Sequence, residues 1–195
     1  MNGTLIKYGL IAVAVGGFFA WTAYQDAQPQ TADLGQVLDR ADFALTTYDT
    51  EEVGDEVTEA QMQDFTLYMT YVMNGQPSFY DQPVGMRLED DATFMGYADA
   101  NANLQQDEDE KDIFKLEVDT ENSRLIATDM TGETVGHRFS GGGLLAGLII
   151  GNLLARQTRA GVNRSTLANK QAKPRSSYTS SARSRSRAGG SRVGK

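Results

Sequence analysis

Twelve residues, Asp99 to Glu110, read DANANLQQDEDE. Oxygen-bearing side chains stand at Asp99, Asn101, Asn103, Asp107 and Glu110, the first, third, fifth, ninth and twelfth places of the run. Carboxylates and amide carbonyls, without sulfur or imidazole, suit a hard divalent cation. Calcium takes its oxygens from such donors, with a bidentate glutamate in the twelfth place and a backbone carbonyl in the seventh, here Gln105. Other chemistry is sparse. The chain has one histidine, His137, and no cysteine. Thiolate zinc sites, disulfides and cysteine nucleophiles are therefore excluded. No nucleophile–base constellation or glycine-rich phosphate loop is present, so the expectation is a protein that is not an enzyme.

The run resembles EF-hand loops. It is more closely similar to the calcium loops of bacterial surface-protein repeats of the SdrD B type, where the loop joins strands of a β domain. The resemblance implies calcium as cofactor, bound by Asp99, Asn101, Asn103, Gln105, Asp107 and Glu110, with an affinity near the roughly 10⁻⁴–10⁻³ M range of extracellular modules. Three places depart from the pattern. Leu104 stands sixth, where those families use glycine for a positive φ, and a non-glycine residue there costs about 1–2 kcal/mol. Asp109 replaces glycine in the eleventh place, and Gln106 replaces the apolar anchor in the eighth. A plain Asx-rich turn has a similar composition.

Strand-like segments flank the loop. Val84–Leu88 and Thr93–Tyr97 precede it, and alternation after it gives strands near 112–118, 124–129 and 134–139, with turns at DTENS and DMTGE. Two helices are expected upstream. Leu34, Val37, Leu38 and Phe43 lie near helical spacing within 34–45. A better helix starts at Thr58, whose pairing with Gln61 fits a capping box, carries Met62, Phe65, Met69, Val72 and Met73 on one face, and stops at Asn74-Gly75. The fold class is α+β, a small acidic domain over 26–139 with an antiparallel meander and one or two helices.

Two apolar runs bracket this domain. Residues 8–24, YGLIAVAVGGFFAWTAY, carry no charge. As a helix they reach roughly 25 Å, near the short end of a bilayer span, so residues 1–25 are read as a signal anchor. The second run, within 140–157, places Gly143, Gly147 and Gly151 four apart, a glycine zipper suited to close helix approach and self-association. It is either a second membrane helix or a buried helix of the domain. The tail, 158–195, is rich in Arg, Ser and Gly and is expected to be disordered. A glycine-spaced apolar run followed by such a tail resembles uncharacterised bacterial envelope proteins of the YgiB type, although those carry cysteines and a lipoprotein-type start.

Charge is sorted along the chain. All 26 acidic residues lie between Asp26 and Glu133, and from Asp26 to Ser140 only six basic residues accompany them, a net of −20. From Arg156 onward there are eleven basic residues and no acid. Two spans would put Lys7 and the tail in the cytoplasm and the acidic domain outside. With one span, the tail shares the domain's side and folds back on its acidic surface or binds anionic lipid or polymer. The sequence thus points to a membrane-anchored bacterial envelope protein of structural or interaction type, with its acidic domain periplasmic or extracellular. The alternative is a phage or virion component with membrane-inserting helices and a basic tail that binds nucleic acid or lipid; nucleic-acid binding by the tail alone leaves the anchor unexplained.

Overall fold

The computed structural model describes residues 31–49, 56–139 and 144–179. The apolar run 8–24, Gly143 and residues 180–195 lie outside the described residues. The chain divides into two units, Met1–Gln30 and Thr31–Lys195, and every described element belongs to the second.

Helix α1 spans Leu34–Thr47, and its first turn is closed by Asp33, which accepts from the amides of Gly35 and Gln36 at 3.0 and 3.2 Å. Leu34, Val37, Leu38, Ala41, Ala44 and Leu45 form its buried stripe. Phe43, expected on that stripe, is 53% exposed because it falls between the inward positions 41 and 44. Helix α2, Glu59–Met73, opens with the Thr58/Gln61 capping box and buries Met62, Phe65, Met69 and Met73. Val72, also expected on that face, is only partly buried. Asn74 does more than end the helix. Its amide donates to the Thr70 and Val84 carbonyls at 2.8 Å each and accepts from Val84 N at 2.9 Å, tying α2 to the first strand.

The sheet has six strands in sequential order: β1 Val84–Leu88, β2 Phe94–Ala98, β3 Asp112–Asp119, β4 Arg124–Asp129, β5 Thr134–Arg138 and β6 Lys173–Pro174. The first five form an antiparallel meander, and β6 runs parallel to β5. The sheet is therefore mixed. Phe94, Phe114, Leu116, Ala127 and Val135 meet the buried faces of α1 and α2 in one apolar core.

Helix α3, Leu144–Arg159, packs into this domain. Its Ile149 and Leu153 are fully buried in the same core. Asn152 Nδ2 donates to the Val57 carbonyl at 3.0 Å, and the buried Gln157 Nε2 donates to Val118 O at 2.9 Å. Among the described residues no helix is long and apolar enough to cross a membrane. Within the domain the face carrying Gly147 and Gly151 is open, for a Cβ on either would meet nothing within 4 Å. The expectation of disorder from residue 158 is corrected for 158–179. Helix α4, Arg164–Ala168, then β6 and a 3₁₀ turn at Arg175–Ser177 form a strap over the sheet. Its hold comes from acidic partners distant in sequence, as with Lys173 Nζ and Glu133 Oε1 at 2.7 Å.

Candidate metal centre

The run 99–110 joins β2 to β3. The two strands enter it as a closed pair, for Ala98 N donates to Lys111 O at 3.0 Å. Asp99 N donates to Pro83 O at 2.9 Å, fixing the loop's first residue to the chain before β1. Asp99 and Glu110, the two ends, are buried at 1% and 9% exposure, whereas the residues between them are exposed.

Asp99 organises the first half. Its Oδ1 accepts from Asn103 N and its Oδ2 from Leu104 N, both at 3.0 Å. Asn101 Oδ1 accepts from Asn103 N at 3.0 Å, and Asn103 Oδ1 accepts from Gln105 N at 2.8 Å. These Asx turns curl the backbone around the side chains. Leu104 adopts φ 63°, so the sixth place has the left-handed conformation although its residue is not glycine. Ala102 is also left-handed, at φ 56°.

Glu110 closes the second half. Its Oε1 accepts from Ala100 N at 2.8 Å and its Oε2 from Asp107 N at 3.1 Å. One carboxylate thus holds both limbs of the loop. Between them, Asp107 Oδ2 accepts from the side-chain amides of Asn101 and Asn103 at 2.7 and 3.1 Å. All six candidate residues therefore belong to one closed loop. Glu108 and Asp109 point into solvent.

Arg87 and Gln106 complete the site, and neither was singled out as functional from sequence. Arg87 on β1 pairs with Asp112 at 2.7 Å and Glu89 at 2.7 Å, and also donates to Gln106 Oε1. Gln106 Nε2 donates to Glu110 O and to Asp112 Oδ1, both at 3.0 Å. A polar clamp thus occupies the eighth place where an apolar anchor was missing. The Arg87 hydrogen bond holds the Asp112 carboxyl below its ordinary value, and the same bond raises the Arg87 guanidinium. One sequence signal pointed to it: Arg87 is the sole basic residue between Arg40 and Lys111.

The fit to a cation is divided. The donors are all oxygens, and the backbone has the turn that the sixth place requires. Each carboxylate oxygen of Asp99 and Glu110 has spent one lone pair on an amide and retains another. Yet among the described residues no group of three or more acidic or histidine side chains is arranged to hold a metal. Two amide NH₂ groups, from Asn101 and Asn103, stand against Asp107. The Oδ1 atoms of the same two amides already accept from Asn103 N and Gln105 N, so both side chains are committed to the loop's own turns. No family model, curated protein or solved structure matches this chain.

Proposed function

We propose that this chain is a membrane-anchored envelope protein of structural or interaction type, whose acidic domain lies outside the cytoplasm and is stabilised by calcium at 99–110. The observation that carries the reading is the left-handed Leu104 held by the buried Asp99 carboxylate. A bulky residue takes a conformation that ordinarily wants glycine, at the one place where a calcium loop needs it. Asp99, Asn101, Asn103, Asp107 and Glu110 would bind through side chains, and Gln105 through its carbonyl. The bound ion would offset the mutual repulsion of Asp107, Glu108, Asp109 and Glu110 and tie β2 to β3. Anchoring rests on the charge-free run 8–24. The packing of α3 and the strap on the acidic domain favours a single span, with 144–179 on the domain's side.

A second reading is a cation-free polar loop. It is favoured by the two asparagine amides already placed on Asp107. Thermal melting of the full chain separates the two. Calcium at about ten times Kd adds about 1.4 kcal/mol, several degrees, over a chelated sample. Glu110→Gln removes that gain and Glu108→Gln keeps it. Equal melting temperatures with calcium and with chelator support the polar loop instead.

A further inference from the structure

We propose that a cavity between the α2–β1 connection and the 99–110 loop is the docking site for the chain's own Arg/Ser-rich tail, residues 180–195. The cavity has a volume of about 420 Å³. That falls within the roughly 300–1,000 Å³ of ligand clefts. Its lining is part apolar: Met73 and Phe79 are buried, and Leu104 is 53% exposed. Asp81 and Asp99 add carboxylates, and among the described residues no Lys, Arg or His lines it. Within the lining, burial and then the Asp81 carboxylate raise the Tyr80 hydroxyl above its ordinary value, the direction a negative neighbour gives.

An anion gains nothing from such a lining. The occupant that suits it joins positive charge, hydrogen-bond donors and apolar carbon in one body. Arginine has all three. Its guanidinium donates to a carboxylate as a planar fork, and its aliphatic stem covers apolar surface. Residues 180–195 carry Arg183, Arg185, Arg187, Arg192 and Lys195 and no acid. Alternate residues of an extended chain share a face, so Arg183, Arg185 and Arg187 would fall on one side of it and Ser184 and Ser186 on the other. The strap just before them already spends its bases on acids distant in sequence, Lys170 on Glu117, Lys173 on Glu133 and Arg175 on Asp39.

Position favours this tail over another cationic segment. The described chain ends at Thr179, four residues after Arg175, which donates to Gly35 O at 2.9 Å and pairs with Asp39 on α1. The next residue of α1, Arg40, donates to Met73 O and Pro77 O and stands 4.9 Å over the Phe79 ring. Consecutive residues of α1 thus touch the strap's end and the cavity's lining. Arg183, Arg185 and Arg187 follow Thr179 by about 14, 20 and 27 Å of extended chain, enough to pass a helix about 10–12 Å across. Asp81 lies outside the 99–110 loop, so the docking does not rest on a cation there.

The test uses the full chain in a mild detergent. Because the chain has no cysteine, a chosen pair is the only one that can form a disulfide. Ser184→Cys is combined with Gln82→Cys on the cavity's exposed rim, or with Met130→Cys in the exposed β4–β5 turn. The second pair reports chance contact of the tail with open surface. Docking raises the effective concentration at the cavity, so under mild oxidation the disulfide to position 82 should form about tenfold faster than that to position 130. Arg183→Gln, Arg185→Gln and Arg187→Gln together should abolish the preference, and Asp81→Asn should weaken it severalfold. Raising salt from about 0.1 M to about 1 M shortens the screening length from about 10 Å to about 3 Å and should weaken it likewise. Equal rates at the two positions in the parent overturn the docking. A preference that survives loss of the three arginines, or of the Asp81 charge, overturns recognition by arginine. A disulfide-linked dimer in place of the intramolecular product gives the site to another copy's tail and overturns docking within one chain.

Discussion

The β2–β3 loop and the C-terminal strap are both polar, exposed and free of a core of their own, yet they are ordered in different ways. In the loop, acids are satisfied by amides of neighbouring residues, so Asp99 reaches only to Asn103 and Leu104. In the strap, bases are satisfied by acids far away in sequence, so Arg175 reaches back to Asp39. The loop can adopt its shape once β2 and β3 are paired. The strap can form only when the whole sheet exists to receive it. Local polar order is thus encoded in spacing, and long-range polar order in the balance of charge between segments.

Substitutions sharpen that contrast. The largest effect is expected at Arg124, which pairs with the 1%-exposed Asp119 and holds three strap carbonyls. Arg124→Ala should cost about 3 kcal/mol in denaturant unfolding, because it leaves a buried carboxylate with one fewer partner. It should also free the strap to proteolysis while leaving the loop protected. Asp99→Ala should cost about 2 kcal/mol by removing the acceptor of two loop amides, and the strap should stay closed. If either change loosens both regions equally, the two are not independent.

A smaller effect is expected at Tyr48, buried between the helices, whose hydroxyl donates to Asp64 at 2.8 Å. Burial, then the bond to Asp64, raises its ionisation above the ordinary value near 10. The protonated form is thus favoured in the folded state. Its contribution is fully present below pH about 10 and is lost as pH rises toward the folded-state value. Alkaline melting should show that loss in the parent and less of it in Tyr48→Phe. The smallest effect on stability is expected from Gly147→Ile, since nothing lies within 4 Å of a Cβ there. Its unfolding free energy should change by no more than about 0.5 kcal/mol. A fall in crosslinked oligomers would then report association through this exposed face.

Much of the sheet was legible in the sequence, because alternation and turn residues fix strands locally. The predicted segments after the loop match β3, β4 and β5 to within a residue at each end. The α2 start was legible from Thr58 and Gln61, which need only each other. The six loop residues were legible as a group because their partners lie within the same twelve positions. Arg87 was harder, since nothing local says which acids it meets. The strap was read as disordered because its composition lacks apolar residues, and composition does not register acids supplied from elsewhere. The charge sorting carried that information in the sum but not in the pairing. Spacing at Gly147 and Gly151 marked a helix face correctly, yet the opposite face, with Ile149 and Leu153, is the one buried.

The central claim is that 99–110 takes up calcium, and the direct test is calorimetric titration of calcium into the full chain and into Leu104→Gly. One site with Kd near 10⁻⁴–10⁻³ M is expected in the parent. Leu104 is already left-handed in the amide-closed loop, so its strain of about 1–2 kcal/mol is common to the free and bound states and Leu104→Gly should bind with the same Kd. A tighter Kd in Leu104→Gly would show that the turn is set only when the ion binds. No binding heat in either chain at millimolar calcium contradicts the claim and leaves the loop a polar turn.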